Sequence, residues 1–199
     1  MSDIGNLHDK VYSQMMNPLF GLPVGDKVPE EINMLVETPC GSINKYEFHT
    51  KTGLIKLDRV LFERLPYPVE YGAIPQTWDE DNDLLDVMCL ITFPTFSGCL
   101  LSVRPIGVMR FNDSGERDDK ILGVPTDDIR FKHIQSIEDI TEHQKDEIAF
   151  FFQRYKDLQF KYKGETDKKL IIEGWEGKTK AYTIIKEAHK LFKRTFKIP

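Results

Sequence analysis

From Ile32 onward, apolar and polar residues alternate in short runs separated by glycine and proline, the rhythm of β-strands and tight turns. Ile32-Asn33-Met34-Leu35-Val36-Glu37 has strand character and stops near Pro39-Cys40-Gly41. Ile43 to His49 alternates, which sets Lys45 and Glu47 on one face and Tyr46 and Phe48 near the other. Gly53 marks a turn, and the next strand, Leu54 to Val60, carries Arg59 on the same side as Ile55 and Leu57. An arginine sharing an apolar face either snorkels at the strand end or points into a polar cavity. Tyr67-Pro68-Val69-Glu70-Tyr71-Gly72 reads as a rigid aromatic loop. Strands resume at Val87 to Phe93, Leu101 to Phe111 and Ile121 to Val124, and Pro105 inside the second predicts an edge position or a bulge.

The period changes in the last third of the chain. Thr141 with Gln144 forms a capping-box pattern, and Ile148, Phe151, Phe152 and Tyr155 recur at helical spacing, with Lys156-Asp157 at the helix end. A short strand at Leu170-Ile171-Ile172 precedes Gly174-Trp175, and a last helix carries Ala181, Ile184, Ile185, Ala188, Leu191 and Phe192 on one face. The order predicts an α+β, mainly β fold: a small antiparallel barrel with peripheral strands and two C-terminal helices. Residues 1–20 are expected to be a peripheral extension, and residues 21–199 a single domain. Within the extension, Leu7, Val11 and Met15 suit either a short amphipathic helix ended by Pro18 or a frayed tail.

Length and charge narrow the function. A chain of 199 residues, 40% hydrophobic and 30% charged, can bury a sizeable core as one ordinary domain. A formal net charge of −5 argues against nucleic-acid binding, which needs a basic face. It does not argue against a small anionic substrate, because a few placed cations and bound metal invert the local field. Cys40, Cys89 and Cys99 are odd in number and lack metal-ligand spacing, so they read as incidental thiols in a reducing compartment. No secretory signal or membrane span is visible, and a cytoplasmic location is expected.

The acidic run Asp79-Glu80-Asp81-Asn82-Asp83-Leu84-Leu85-Asp86 packs five carboxylates into eight residues at the mouth of a strand. Such a density of like charge needs either full solvation or a bound cation, and hard divalent ions suit oxygen ligands. An EF-hand does not fit, since Leu84 stands where its sixth position needs glycine and Leu90 where its twelfth needs glutamate. A second acidic turn holds Asp113 and Asp118, and strand mouths of a small barrel converge. With Lys45, Arg59, Lys120 and Lys156, and Tyr67, Tyr71 and Tyr155, the inventory is that of a phosphoryl-transfer site without a P-loop.

Asp81-Asn82-Asp83-Leu84-Leu85-Asp86-Val87 resembles the Asp-x-Asp-x-x-Asp-aliphatic signature of the soluble inorganic pyrophosphatases of the β-barrel family. Val36-Glu37-x-Pro39, Lys45-Tyr46-Glu47, Asp58-Arg59, Tyr67-Pro68-x-x-Tyr71-Gly72, Arg104-Pro105-x-Gly107, Asp118-x-Lys120 and Phe152-x-x-Tyr155-Lys156-Asp157-Leu158 follow in that family's order and spacing. The resemblance runs from about Leu22 to Trp175. It implies a closed, five-stranded, OB-like barrel and Mg²⁺-dependent hydrolysis of pyrophosphate to two orthophosphates, with Mn²⁺ or Zn²⁺ as substitutes. It further implies several metal ions held by Asp81, Asp86, Asp113 and Asp118 with Glu47 and Glu37, and Asp83 as general base on the attacking water. Lys45, Arg59, Tyr71, Lys120, Tyr155 and Lys156 would hold the two phosphoryl groups, with Arg59 and Tyr71 acting in catalysis. It implies homo-oligomeric assembly as a hexamer, with no nucleic-acid or membrane partner. Leu84 departs from the proline or glutamate usual there, and Ser114 from a common carboxylate. Two other readings keep the residues but change the activity: hydrolysis of another diphosphate, and divalent-ion binding without turnover.

Overall fold

The computed structural model describes residues 17–79 and 82–196. The expected helix through Leu7, Val11 and Met15 lies outside the described residues. Pro18, read as ending a helix, instead opens one: α1 (Pro18–Gly21) begins at Pro18 after Asn17, whose side chain accepts the Leu19 N–H. A proline costs nothing at the first helical position, where its missing N–H would have no partner. Leu19 is fully buried, packed with Phe48, Ala73 and Leu84.

The strands follow the alternating runs: β1 (Ile32–Thr38), β2 (Asn44–His49), β3 (Leu54–Val60), β4 (Glu70–Ala73), β5 (Asp86–Cys89), β6 (Leu100–Asp113), β7 (Glu116–Arg117), β8 (Lys120–Pro125) and β9 (Leu170–Gly177). Part of the expected aromatic loop is strand, because Glu70 to Ala73 pairs with both β1 and β5. The main sheet runs β1-β4-β5-β8-β6, and β6 pairs back onto β1, so five strands form a ring. β9 and β7 extend from β6, and β2–β3 is a separate hairpin.

The expectation of a wholly antiparallel arrangement is corrected at one seam, where β5 and β8 run parallel with Val87 opposite Ile121 and Met88 opposite Leu122. A parallel pair needs a long crossover, and the whole of β6 and β7 supplies it. Pro105 sits at a bulge, the β6–β8 register shifting between Pro105 and Gly107. β6 nevertheless lies inside the sheet, flanked by β1, β8 and β9.

Among the described residues three α-helices, not two, occupy the C-terminal third: α2 (Glu142–Arg154), α3 (Asp157–Lys163) and α4 (Lys178–Phe196). Thr141 and Gln144 form the predicted capping box on α2. The unforeseen α3 starts directly after Lys156 and stops at Gly164, whose φ of 72° gives the left-handed turn that ends a helix.

Strand alternation divides the core in two. One face of the ring holds Tyr71, Met88, Met109, Phe111 and Leu122, closed by Ile148, Phe151 and Phe152 of α2. The other face holds Val36, Val87, Val108 and Ile121 against Ala181, Ile185 and Ala188 of α4. Burying each large apolar side chain contributes roughly 1.5–3 kcal/mol, so these two layers supply the main stabilisation of the fold. Among the described residues no helix is long and apolar enough to cross a membrane.

Candidate active site

Tyr71, Asp86 and Lys120 reach one point because of register. Tyr71 is opposite Met88, and Asp86 lies two residues before Met88 on the same face. Leu122 is opposite Met88 in the parallel pair, and Lys120 lies two residues before Leu122. Three neighbouring strands therefore aim a phenol, a carboxylate and an ammonium at the same end of the ring. Lys120, only 1% exposed, donates to Asp86 Oδ2 at 2.6 Å, Asp118 Oδ1 at 2.8 Å and the Tyr71 hydroxyl at 3.2 Å. The Tyr71 hydroxyl in turn donates to Asp86. The rings of Tyr71, Phe111 and Phe152 surround the ammonium at 5.2–5.6 Å from their centroids, which adds cation–π attraction.

This burial sets the charges. Desolvation alone would lift the Asp86 carboxyl, but Lys120 and the Tyr71 hydroxyl outweigh it and hold it below the usual carboxylate range. Desolvation alone would depress Lys120, yet Asp118 and Asp86 hold it above the usual ammonium range. Burial pushes the Tyr71 and Tyr155 phenols far up, so both stay protonated. Glu37, the extra residue at the β1 bulge, is pushed up to about 8 by burial, despite accepting the Phe48 N–H at 2.9 Å.

Above this floor lies a cavity of about 350 Å³ lined by Glu37, Lys45, Glu47, Tyr71, Asp83, Asp86, Asp118, Tyr155 and Lys156. The β2–β3 hairpin supplies its outer wall, where the Lys45 ammonium meets Glu47 and lies 3.8 Å from Asp58. A neighbouring pocket of about 370 Å³ shares Asp118 and Lys156 and adds Asp113 and Ser114. There Lys156 pairs with Asp113. Burial depresses the Lys156 ammonium in spite of that pairing, whereas Lys156 overcomes the burial of Asp113 and keeps its carboxyl low.

The sequence-derived residues thus fall into four positions. Glu37, Lys45, Glu47, Tyr71, Asp83, Asp86, Asp118, Tyr155 and Lys156 line the main cavity, and Asp113 the adjoining one. Lys120 lies beneath, bonded to the floor. Arg59 pairs with Asp58, its Nε buried without a hydrogen-bond partner among the described residues. Its charge reaches Tyr67, Tyr155 and Lys156, so it stands beside the cavity and not among exposed solvent charges. Asp81 lies outside the described residues.

Sequence reasoning left His49, Thr50 and Lys56 unassigned, and these line the cavity too. The alternation that grouped Lys45 with Glu47 continues to His49, and Lys56 is opposite Glu47 in the hairpin, so the signal was present. Asp58 was visible only as a neighbour of Arg59.

Carboxylates dominate the donor set, which is the chemistry hard divalent cations require. Asp86 and Asp118 already share one cation, the Lys120 ammonium, so their oxygens lie no farther apart than those two bonds end to end. Among the described residues no three acidic, histidine or cysteine side chains are gathered tightly enough to enclose an ion. The residues fit cations bound together with a multiply charged anion, which would add its own oxygens.

Comparison with known proteins agrees in sequence and fold. Residues 34–193 match the family model described as inorganic pyrophosphatase. An inorganic pyrophosphatase from Geobacillus stearothermophilus is 46% identical over 156 residues, covering 78% of this chain and 90% of that protein. One from Haloferax volcanii is 39% identical over 182 residues, covering 92% and 99%. The crystal structure of inorganic pyrophosphatase from Thermus thermophilus superposes with a TM-score of 0.82 at 42% identity, covering 86% of this chain and 97% of that one.

Proposed function

The chain belongs to the inorganic pyrophosphatase family, and on that premise we propose that it hydrolyses inorganic pyrophosphate to two orthophosphates with Mg²⁺ as cofactor. The observation that carries this reading is the single cavity in which Glu37, Glu47, Asp83, Asp86 and Asp118 face Lys45, Lys56 and Lys156. Such mixed walls suit an anion that arrives with its own countercations. Pyrophosphate repels an attacking oxygen, so its charge must be neutralised before attack.

Divalent cations, when bound, supply Lewis acidity toward the phosphoryl oxygens and toward water. Asp86, Asp118, Asp113, Asp81, Glu47 and Glu37 would hold them, with Mn²⁺ or Zn²⁺ as possible replacements for Mg²⁺. Asp83 takes the proton from the attacking water. Its carboxylate already accepts the Leu84 N–H at 2.8 Å, which orients it on the cavity wall. Lys45, Arg59, Lys156 and Tyr155 donate to the phosphoryl oxygens, Tyr71 joining them when its single O–H turns from Asp86, and the charge growing on the departing phosphate strengthens those bonds. Lys120 acts from below by keeping Asp86, Asp118 and Tyr71 in place. A cytoplasmic site of action and assembly into a homo-oligomer, a hexamer by resemblance, belong to the same reading. Exposed Phe93, Phe96 and Ile129 are surface that such an assembly would cover.

The test is phosphate release from pyrophosphate and from ATP, with Mg²⁺ and with chelator. We expect rapid release from pyrophosphate alone, abolished by chelator and restored by Mg²⁺. Equal release from ATP would favour a broader diphosphate hydrolase, and binding of Mg²⁺ without release a non-catalytic ring.

A further inference from the structure

The acidic loop between β4 and β5 is held from behind by residues that do not line the cavity. Its base is closed by Ile74 N–H to Leu85 O at 3.0 Å, and by the buried Thr77 hydroxyl. That hydroxyl donates to Ile74 O at 2.6 Å and accepts Leu85 N–H at 3.0 Å. Within the loop, Asp79 N–H donates to Asp83 O at 2.8 Å.

Two described residues of the loop, Gln76 and Asn82, have a left-handed backbone, and Gln76 is tied three ways. Gln76 has φ 53°, a left-handed conformation that disfavours most residues with a Cβ. Its N–H donates to Leu19 O at 3.1 Å, its side-chain Nε2 to Phe20 O at 3.0 Å, and its carbonyl accepts from His189 Nδ1 at 2.7 Å. A carbonyl only accepts, so Nδ1 carries the hydrogen. Two residues on, Trp78 N–H donates to Ala188 O of α4 at 3.0 Å. The Trp78 ring meets Phe196 edge-on at 5.0 Å, and Phe20 meets Phe192 and Phe196 at 5.6 and 5.0 Å. Strain at a non-glycine residue persists only where its surroundings over-determine it. Here α1 and α4 do so, on the side of the loop away from the substrate.

We infer that Gln76 and His189 are positioning residues: the clamp they form with α1 and α4 sets the height of the acidic loop over the sheet, and with it the affinity of the site for divalent cations. The inference rests on the proposed function only in taking this loop as metal-bearing. His189 touches neither substrate nor cation and acts through the Gln76 carbonyl. His189→Phe keeps a ring and deletes the donor, whereas His189→Asn returns a donor near the position of Nδ1. Gln76→Gly relieves the left-handed backbone and drops the bond to Phe20.

Two measurements on the full chain test it: Mn²⁺ binding followed by electron paramagnetic resonance, and the Mg²⁺ concentration giving half-maximal pyrophosphate hydrolysis. His189→Phe is expected to weaken Mn²⁺ binding and raise the Mg²⁺ requirement about three- to tenfold, the worth of one hydrogen bond, with turnover near the parent value at saturating Mg²⁺. His189→Asn is expected to restore both, and Gln76→Gly to shift both in the direction of His189→Phe, which keeps the test open should His189→Phe fail to fold. Unchanged metal affinity in His189→Phe and Gln76→Gly overturns the inference, as does a His189→Asn variant no better than His189→Phe. A parent protein that binds Mn²⁺ but hydrolyses no pyrophosphate would overturn the proposed function while the resonance titration still reads the clamp.

Discussion

On the sheet side of the cavity, Tyr71, Asp86 and Lys120 project from three hydrogen-bonded strands and are bonded to one another. On the opposite side, Lys45, Glu47 and Asp58 stand on a hairpin that belongs to no larger sheet. That hairpin is tied to β1 by side chains. Glu37 accepts the Phe48 N–H, and the Thr38 hydroxyl accepts the Tyr46 N–H at 2.9 Å and donates to Tyr46 O at 3.2 Å. Both walls pair carboxylates with ammoniums, but the first does so beneath the cavity, around the buried Lys120, and the second on the hairpin that forms its outer wall, where Lys45 meets Glu47 and Asp58. The sheet wall is preorganised, and removing its buried cation is expected to damage the fold. The hairpin and the acidic loop carry side chains that face the cavity, and removing one of those is expected to damage the chemistry.

Asp83→Asn should separate the two walls most widely. It deletes the proposed proton acceptor on the loop side while keeping size and polarity, so turnover is expected to fall about 10²–10⁴-fold, with a partial recovery as pH rises. The unfolding midpoint should stay where it is. Asp86→Asn, measured beside it, should instead demand more Mg²⁺ for the same rate. If Asp83→Asn behaves like Asp86→Asn, rescued by metal and indifferent to pH, then Asp83 is a ligand and the division of labour is wrong.

Lys120→Met reverses the pattern. It leaves the Asp86 and Asp118 carboxylates side by side without their shared cation, which should cost roughly 3–5 kcal/mol in metal-free buffer. Urea unfolding with and without Mg²⁺ checks it: a divalent ion between those carboxylates should return part of the loss. An unaltered midpoint in chelator would mean that the floor is not held together by this ammonium.

The smallest effect concerns a buried acid that lacks a cation. Glu70, one residue from Tyr71 on the other face of β4, accepts the Thr95 N–H at 2.7 Å and the Cys40 N–H at 3.3 Å. Burial still leaves its carboxyl above the usual range. A raised carboxyl binds protons more tightly folded than unfolded, so its contribution to stability declines as pH rises from the ordinary value of 4.5 through the shifted one. Glu70→Gln should therefore flatten the pH dependence of unfolding over that window. A slope identical to the parent's would remove Glu70 from the account. Asp86, more exposed but paired with Lys120, shifts the other way.

Much of the site was legible because strand alternation and motif order act locally. Lys45 and Glu47 sharing a face, Pro105 at a bulge and the Thr141 capping box all follow from near neighbours in sequence. What alternation cannot show is which strand lies beside which. The parallel seam between β5 and β8 was missed for that reason, and with it the fact that Lys120 lies under the cavity and not in its wall. Arg59 looked anomalous only because β3 reads as unbroken alternation; Tyr46 is opposite Leu57 but Lys45 is opposite Arg59, so Asp58 is the extra residue of a bulge and Arg59 leaves the face of Ile55 and Leu57 for that of Lys45 and Glu47. The clamp on Gln76 had no sequence signal, since a left-handed glutamine and a histidine 113 residues away become partners only in three dimensions.

The parallel seam also bears on when the protein becomes competent. A hairpin forms as soon as its second strand follows the first, but β5 can meet β8 only after β6 and β7 have been made and folded back across the ring. Asp86 and Lys120 sit at that seam. During synthesis, therefore, the chain is expected to pass through states that hold the acidic loop and the hairpin yet lack the ammonium that sets Asp86. Such nascent chains would leave Asp86 without its paired ammonium, and Tyr155 and Lys156, which complete the cavity wall, follow β8 in the chain, so competence waits on segments made after the seam can close.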